Sequence, residues 1–315
     1  KAAGQARVLT LGALTHRLRD ERLAEMAALQ EVGCVGVSDG GHPITNSRVL
    51  RRALEYAATF NLTVFLTPLD PELGHGLAHE GQVAARLGLS GIPAAAETGI
   101  IARDLELVRD LGVRVHFGRL SSARAVDLIA RAQAEGLPVT ADVAVHQLHL
   151  SEIDLLGFDS QCHVRPPLRS LRDKEALRAG LAAGVIGAIC SDHQPHEPDA
   201  KQAPFGDTEP GISGLDTLLA LSLRLARDGV SPLSVIIDRL THGPAQILGL
   251  DRGHLGMGAL ADLCIFDPDA DWRLEPGGMH SRGRNSPFTG WELPGRVTHT
   301  LLEGRVIYAG GGGKE

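Results

Sequence analysis

VIGAICSDHQPH (residues 185–196) is an apolar, β-branched run that breaks off into Asp192, His193 and, three residues on, His196. A short apolar run bounded by turn residues reads as a buried strand. In a parallel sheet covered on both faces, chemistry is presented where the strands end. The same texture recurs upstream in RVLTLG (7–12), CVGVS (34–38), LTVFLT (62–67), VRVHFG (113–118) and PVTADVA (138–144). Between these runs lie stretches with helical spacing. Residues 20–33 put Leu23, Met26, Ala27 and Leu29 on one face before Gly33, and 46–60, 122–136 and 173–184 repeat the pattern behind Asn, Ser or Asp. The alternation predicts a parallel sheet with helices outside it, either a barrel or a doubly wound sheet. No G-x-G-x-x-G or Walker loop follows any strand, so a (β/α) barrel is the expected fold.

Beyond residue 250 the pattern changes. GALADLCIFDPDADW (258–272) and RVTHTLLEGRVIYAG (296–310) alternate like strands around turns, with no helix between them. The expected organisation is a barrel over 1–250, a small β subdomain over 251–309 and a flexible tail at 310–315. The chain opens on Lys1 rather than Met, so residues are expected upstream.

Composition narrows the function. The 315 residues are 43% hydrophobic, enough for one large α/β domain with a small appendage. The formal charge of −7, from 31 basic against 38 acidic residues, argues against nucleic acid or an anionic membrane as a partner. No apolar run is long enough to span a membrane, and no signal-peptide pattern is present. Cys34, Cys162, Cys190 and Cys264 are widely spaced, which fits free thiols in a reducing cytoplasm.

The strand ends offer Asp39 and His42, Thr67 and Asp70, His116 and Arg119, His146, and then Asp192, His193 and His196. A hydrolytic zinc needs about three protein ligands and an open position for water, and a two-metal centre needs more. That inventory is thin, and Arg119 is a fixed cation where a ligand is wanted. Arg119 either pairs with Asp192 or points to solvent, and the pairing is the expectation, because a lone buried carboxylate is costly. His75 and His79 have i, i+4 spacing, but Gly74 and Gly76 disfavour a helix, so both are expected in a loop facing solvent. His42 and His146 are read as structural or exposed.

ALTHRLRDERLAEM, RRALEYA, EGQVAARLGLSGIPAAAE, LPVTADV, HVRPPLRS, SDHQPH, GISGLDT, GALADLCIFDP and NSPFTGW, in this order, closely resemble the dihydroorotases of the amidohydrolase superfamily. The resemblance covers nearly the whole chain. It implies a TIM-type (β/α)8 barrel, N-terminally incomplete here by about two strands, with a β subdomain, and in active members a two-zinc centre. Carried over residue by residue, that centre is degenerate. Gly40 stands in place of a ligand aspartate, Thr67 and Arg119 in place of ligand histidines, and only Asp192 is retained. The first-strand His-x-His motif is not in the chain. His196 and Gly211 match positions that hold substrate, and Arg165 replaces an asparagine. With His193 these define a possible ligand pocket.

The implied protein is a catalytically inactive dihydroorotase-like chain, without cofactor, that supports the catalytic chain of aspartate carbamoyltransferase in a hetero- or homo-oligomer. EYAATFNLTVF, HQPHEPDAK and TEPGISG resemble that inactive subgroup. The alternatives are an active zinc cyclic amidohydrolase and a binding protein that uses Arg165 and His196 to hold a small carboxylate or ureide.

Overall fold

A computed structural model describes residues 6–310, so all but Gly310 of the expected tail lies outside the described residues. The strands are β1 (Thr10–Ala13), β2 (Cys34–Ser38), β3 (Val64–Leu66), the two-residue β4 (Ala78–His79) and β5 (Gly91–Ile92), then β6 (Val115–Phe117), β7 (Val139–Ala144) and β8 (Ala188–Cys190), followed by β9 (Leu263–Arg273), β10 (Glu292–Leu302) and β11 (Arg305–Ala309). The helices are α1 (Met26–Glu31), α2 (Ser47–Thr59), α3 (Gln82–Leu87), α4 (Ala95–Leu111), α5 (Ala123–Ala134), α6 (Leu171–Ala182), α7 (Leu218–Arg227), α8 (Leu233–Leu240) and α9 (His242–Ile247).

Six strands form one parallel sheet in the order β1-β2-β3-β6-β7-β8. Neighbours in the sheet follow chain order without a reversal, which is barrel winding; a doubly wound sheet would reverse in its middle. The sheet therefore supplies six strands of the expected (β/α)8 architecture. β4 and β5 form a separate ribbon, and β9, β10 and β11 make an antiparallel sheet whose middle strand packs against α7. This is the β subdomain.

Period-two alternation divides the barrel strands. Val115, Phe117, Val139, Ala141 and Val143 are buried in the hydrophobic core with helix residues such as Ile101, Ile129 and Leu177. The alternate positions His116, Thr140 and Asp142 bond to one another instead, so the opposite face of the sheet is polar. Three helices begin at a side-chain cap. The Asn46 side chain accepts from Arg48 and Val49 at the head of α2, Ser122 caps α5, and Ser170 with Asp173 forms a capping box on α6.

Two expectations are corrected. The helix read over 20–33 is confined to Met26–Glu31, because Thr15 bridges Leu23 and the Ala24 amide donates to Leu14 O, which holds the preceding backbone extended. The longest helix, α4, has no counterpart among the expected segments. Its buried face includes Glu97, Thr98 and Asp104, which interrupt the apolar stripe that marks a helix in sequence.

Candidate functional site

The polar residues converge at the C-terminal strand ends. After β6 the chain turns through Arg119 at φ 59°, and the Arg119 amide donates to Asp142 Oδ1 over 2.7 Å. That anchor sends the guanidinium across β7. Nη1 donates to Asp192 Oδ1 and Nη2 to Thr67 Oγ1, each at 3.2 Å. Asp192, at φ 41°, also accepts from Gln194 Nε2 at 3.1 Å. The expected pairing of Arg119 with Asp192 is therefore present. Burial works against the Arg119 charge, but Asp192, Cys190 and Asp142 outweigh it and hold the pKa above its ordinary value.

Thr67 and Asp39 close the arrangement from the other side. Asp39 accepts the Thr67 amide at 2.7 Å, the Thr67 hydroxyl at 2.9 Å and the Gly41 amide at 3.0 Å. Burial still raises its pKa against these three donors. Asp142 behaves oppositely: burial would raise it, but His116, the Arg119 amide and the Cys190 thiol together bring it below the ordinary value. Both ring nitrogens of His116 are occupied, at 2.9 Å from Thr140 Oγ1 and 2.9 Å from Asp142 Oδ2. Burial pushes the Cys190 thiol well up, so it is no nucleophile at neutral pH.

His146 is fully buried, and neither ring nitrogen has a hydrogen-bond partner. Its pKa falls to about 4, chiefly from burial; Asp192 pulls it up and Arg119 pushes it down. Of the two readings held for His146, the buried structural one applies, and His42 is exposed. His75 is exposed as expected, but His79 is not in a solvent-facing loop. It ends β4, half-buried, where Arg169 Nη1 lies 3.2 Å from its Nδ1.

The four residues grouped as one ligand pocket occupy three places. His196 and Gly211 stay together: Gly211 has φ 136°, and a Cβ there would lie 3.1 Å from His196 Nε2 and 2.6 Å from Gln194 Cβ. His196 Nε2 bonds Pro210 O at 3.1 Å. Asn285 ties this loop down, accepting the His196 amide at 2.8 Å and donating to Gln194 O and Gly211 O. His193 faces elsewhere, into a cleft of about 580 Å³ with Asp216, Trp272, Met279 and Tyr308. Arg165 lines a third cavity with His42 and His75. Residues that sit together in SDHQPH separate because His193 bridges Ile212 while His196 is held by Asn285 and Pro210 O. Asn285 carried no chemical signal of its own in sequence; only its placement beside Gly211 gives it a role.

An amidohydrolase family model matches residues 19–307, and this decides the family. The chain belongs to the amidohydrolase family. Among curated proteins, this amidohydrolase chain is 52% identical over 311 residues to a dihydroorotase-like protein of Pseudomonas aeruginosa, covering 98% of the chain and 73% of the relative. It is 50% identical to a dihydroorotase-like protein of Pseudomonas putida, covering 98% and 73%, and 42% identical to a dihydroorotase of a Geobacter species, covering 99% and 73%. The amidohydrolase chain is thus dihydroorotase-like. Its fold matches that of the L-hydantoinase (dihydropyrimidinase) from Arthrobacter aurescens with a TM-score of 0.86 at 23% identity, over 98% of this chain and 71% of that one.

The zinc centre implied for active members does not fit these residues. Gly40 has no donor atom; it sits at φ 60°, and a Cβ there would lie 2.9 Å from Leu18 Cδ1. Thr67 Oγ1 is shared between Asp39 and Arg119, and the Arg119 guanidinium places a permanent cation beside Asp192. Among the described residues, no three His, Cys, Asp or Glu side chains converge to hold a metal ion.

Proposed function

We propose that this dihydroorotase-like chain is a non-catalytic member of its family in pyrimidine biosynthesis, and that it acts as a structural partner of the aspartate carbamoyltransferase catalytic chain. The observation that carries the first half is the Arg119 guanidinium lodged between Asp192 and Thr67. Opening a cyclic amide at neutral pH requires a hydroxide equivalent and a polarised carbonyl, both of which a metal supplies. Arg119 can polarise but cannot ionise water. Asp192, the carboxylate best placed as a base, is already paired with Arg119 and Gln194.

The partnership rests on the resemblance to the inactive subgroup and on the pattern of relatives. Two relatives at 50% identity or above are named dihydroorotase-like, whereas six relatives named dihydroorotase stand at 41–43%. A barrel that has exchanged its ligands for an internal ion pair but kept its core is stabilised as a scaffold. Its binding would stabilise the transferase by mass action. An apolar groove of about 450 Å³ beside α8 and β9, lined by the exposed Leu215, Leu255 and Leu260, is the kind of surface expected of a chain that assembles with another.

The test is metal content and dihydroorotase turnover of the full-length protein, followed by co-expression with the transferase. Substoichiometric zinc, no turnover, and a co-purifying transferase that loses activity or assembly without this chain are the expected results. Stoichiometric zinc with turnover would establish the active amidohydrolase instead. A transferase that behaves identically with and without the chain overturns the scaffold.

A further inference from the structure

Three basic side chains from three separate loops meet in one cavity at the barrel rim. His42 follows β2, His75 lies between β3 and β4, and Arg165 lies in the loop between β7 and α6; all three line a cavity of about 280 Å³. Leu18, Pro43, Leu69 and Pro71 supply its apolar walls. Arg165 spends one contact on Gly76 O at 3.2 Å. Among the described residues, none of the three has a carboxylate partner. What marks this rim is that N–H donors from three loops converge on one cavity without a carboxylate paired to any of them.

One acidic residue shares the wall. Asp20 Oδ2 accepts from the Thr45 amide at 2.8 Å, the Thr45 hydroxyl at 2.6 Å and the Asn46 amide at 2.8 Å. Its Oδ1 is buried and has no partner. An anion entering here meets a wall that holds Arg165, His42 and His75 as donors together with the Asp20 carboxylate. A fully ionised anion such as sulfate brings only acceptors towards Asp20. Hydrogen phosphate, or a phosphate monoester in its monoanionic form, brings an O–H that can donate to it.

We propose that this rim cavity is a phosphate-binding site selective for phosphate over sulfate, with Arg165, His42 and His75 as donors and Asp20 as the selecting carboxylate. Its volume lies just below the roughly 300–1,000 Å³ usual for ligand pockets, so the ligand is inorganic phosphate or a small phosphate ester. The site holds whether or not the chain supports a transferase, since it uses none of the residues that carry that reading.

The test is calorimetric titration of the purified protein with inorganic phosphate at constant ionic strength, with sulfate in parallel. Phosphate is expected to bind saturably at one site, with sulfate about tenfold weaker or worse. Arg165→Ala, and His42→Ala with His75→Ala, should each weaken phosphate about tenfold, the worth of a charge-assisted hydrogen bond. The three side chains are exposed, so the variants should keep the parent melting curve. No saturable phosphate binding, or binding that survives both substitutions in folded protein, overturns the site. Equal binding of sulfate overturns the selecting role of Asp20 and with it the proposed selectivity.

Discussion

Arg119 and Asp192 stand at the ends of β6 and β8, with β7 between them, and meet through a 3.2 Å ion pair. Both residues have positive φ, a conformation that costs free energy in non-glycine residues and aims each side chain at the other. The pair is mostly out of solvent, with the Asp192 side chain 9% exposed and that of Arg119 25%. Removing one member leaves the other charge buried. Arg119→Met should therefore destabilise the protein by about 3 kcal/mol, the low end for breaking a buried pair because Arg119 keeps some solvent contact. Adding Asp192→Asn should recover much of that loss. A urea midpoint unchanged in Arg119→Met would mean that the pair contributes nothing.

Restoring ligands tests the assignment of the degenerate positions. Gly40→Asp, Thr67→His and Arg119→His together should raise zinc affinity, measured by competition with a chelating dye. The structure adds a condition. An aspartate at Gly40 must accept φ 60°, which Asp tolerates better than most residues, and must displace the end of Leu18. Leu18→Ala should therefore improve both folding and affinity of the triple variant. Unchanged zinc binding in a folded quadruple variant refutes the mapping.

Acid should weaken the fold through its buried histidines. Burial is the main cause that lowers His146 to about 4, His149 to about 3 and His163 to about 4. In the unfolded chain these imidazoles titrate near 6.5. Above that pH neither state binds the protons, and the native state carries no penalty. Between about 6.5 and 4 the unfolded chain binds more protons, so stability falls as pH falls and levels off below the folded values. For His146 the full effect is about 3 kcal/mol. His146→Leu should be near neutral at pH 7.5, since it removes two unpartnered nitrogens, and should be clearly stabilising at pH 5. Strong destabilisation at pH 7.5 would show that the imidazole makes a bond that matters.

Lys201 fixes the loop that carries Gly211 and His196. Its ammonium donates to Ser160 O at 3.1 Å, His163 O at 3.3 Å and Glu209 O at 2.6 Å, and Ser160 Oγ donates back to Lys201 O at 2.7 Å. Lys201→Met fills similar space but leaves three carbonyls short of a donor. Faster amide exchange confined to about residues 196–211, with the barrel strands unchanged, is the expected result. Uniform protection across the molecule would deny Lys201 this role.

Much of the architecture was legible in the chain because the signals are local. The six barrel strands fall inside or at the edge of the apolar runs, since the face of each strand that packs under the helices must be apolar at every second position. Asn46 and Ser122 marked helix starts because capping uses the nearest side chain, whereas the segment read from Asp173 begins at Leu171, with Ser170 as its cap and Asp173 completing the capping box. Thr67, Arg119 and Asp192 stood out because each follows a strand, and strand ends share one face of a barrel; that these and Gly40 stand at ligand positions is what the resemblance to the dihydroorotases implied.

What the sequence could not settle is what distant side chains do to each other. It placed Arg165, His193, His196 and Gly211 in one pocket, and the tertiary structure distributes them over three places, with His193 and Arg165 in separate cavities and His196 beside Gly211. It left Arg119 a choice between solvent and Asp192. The choice fell to the ion pair because Asp142, on the intervening strand, holds the Arg119 amide and so aims the guanidinium across the barrel, an interaction between residues 23 positions apart. Residue types and their spacing along strands set the fold; which charges meet was decided by the sheet that brings the strand ends within hydrogen-bond reach.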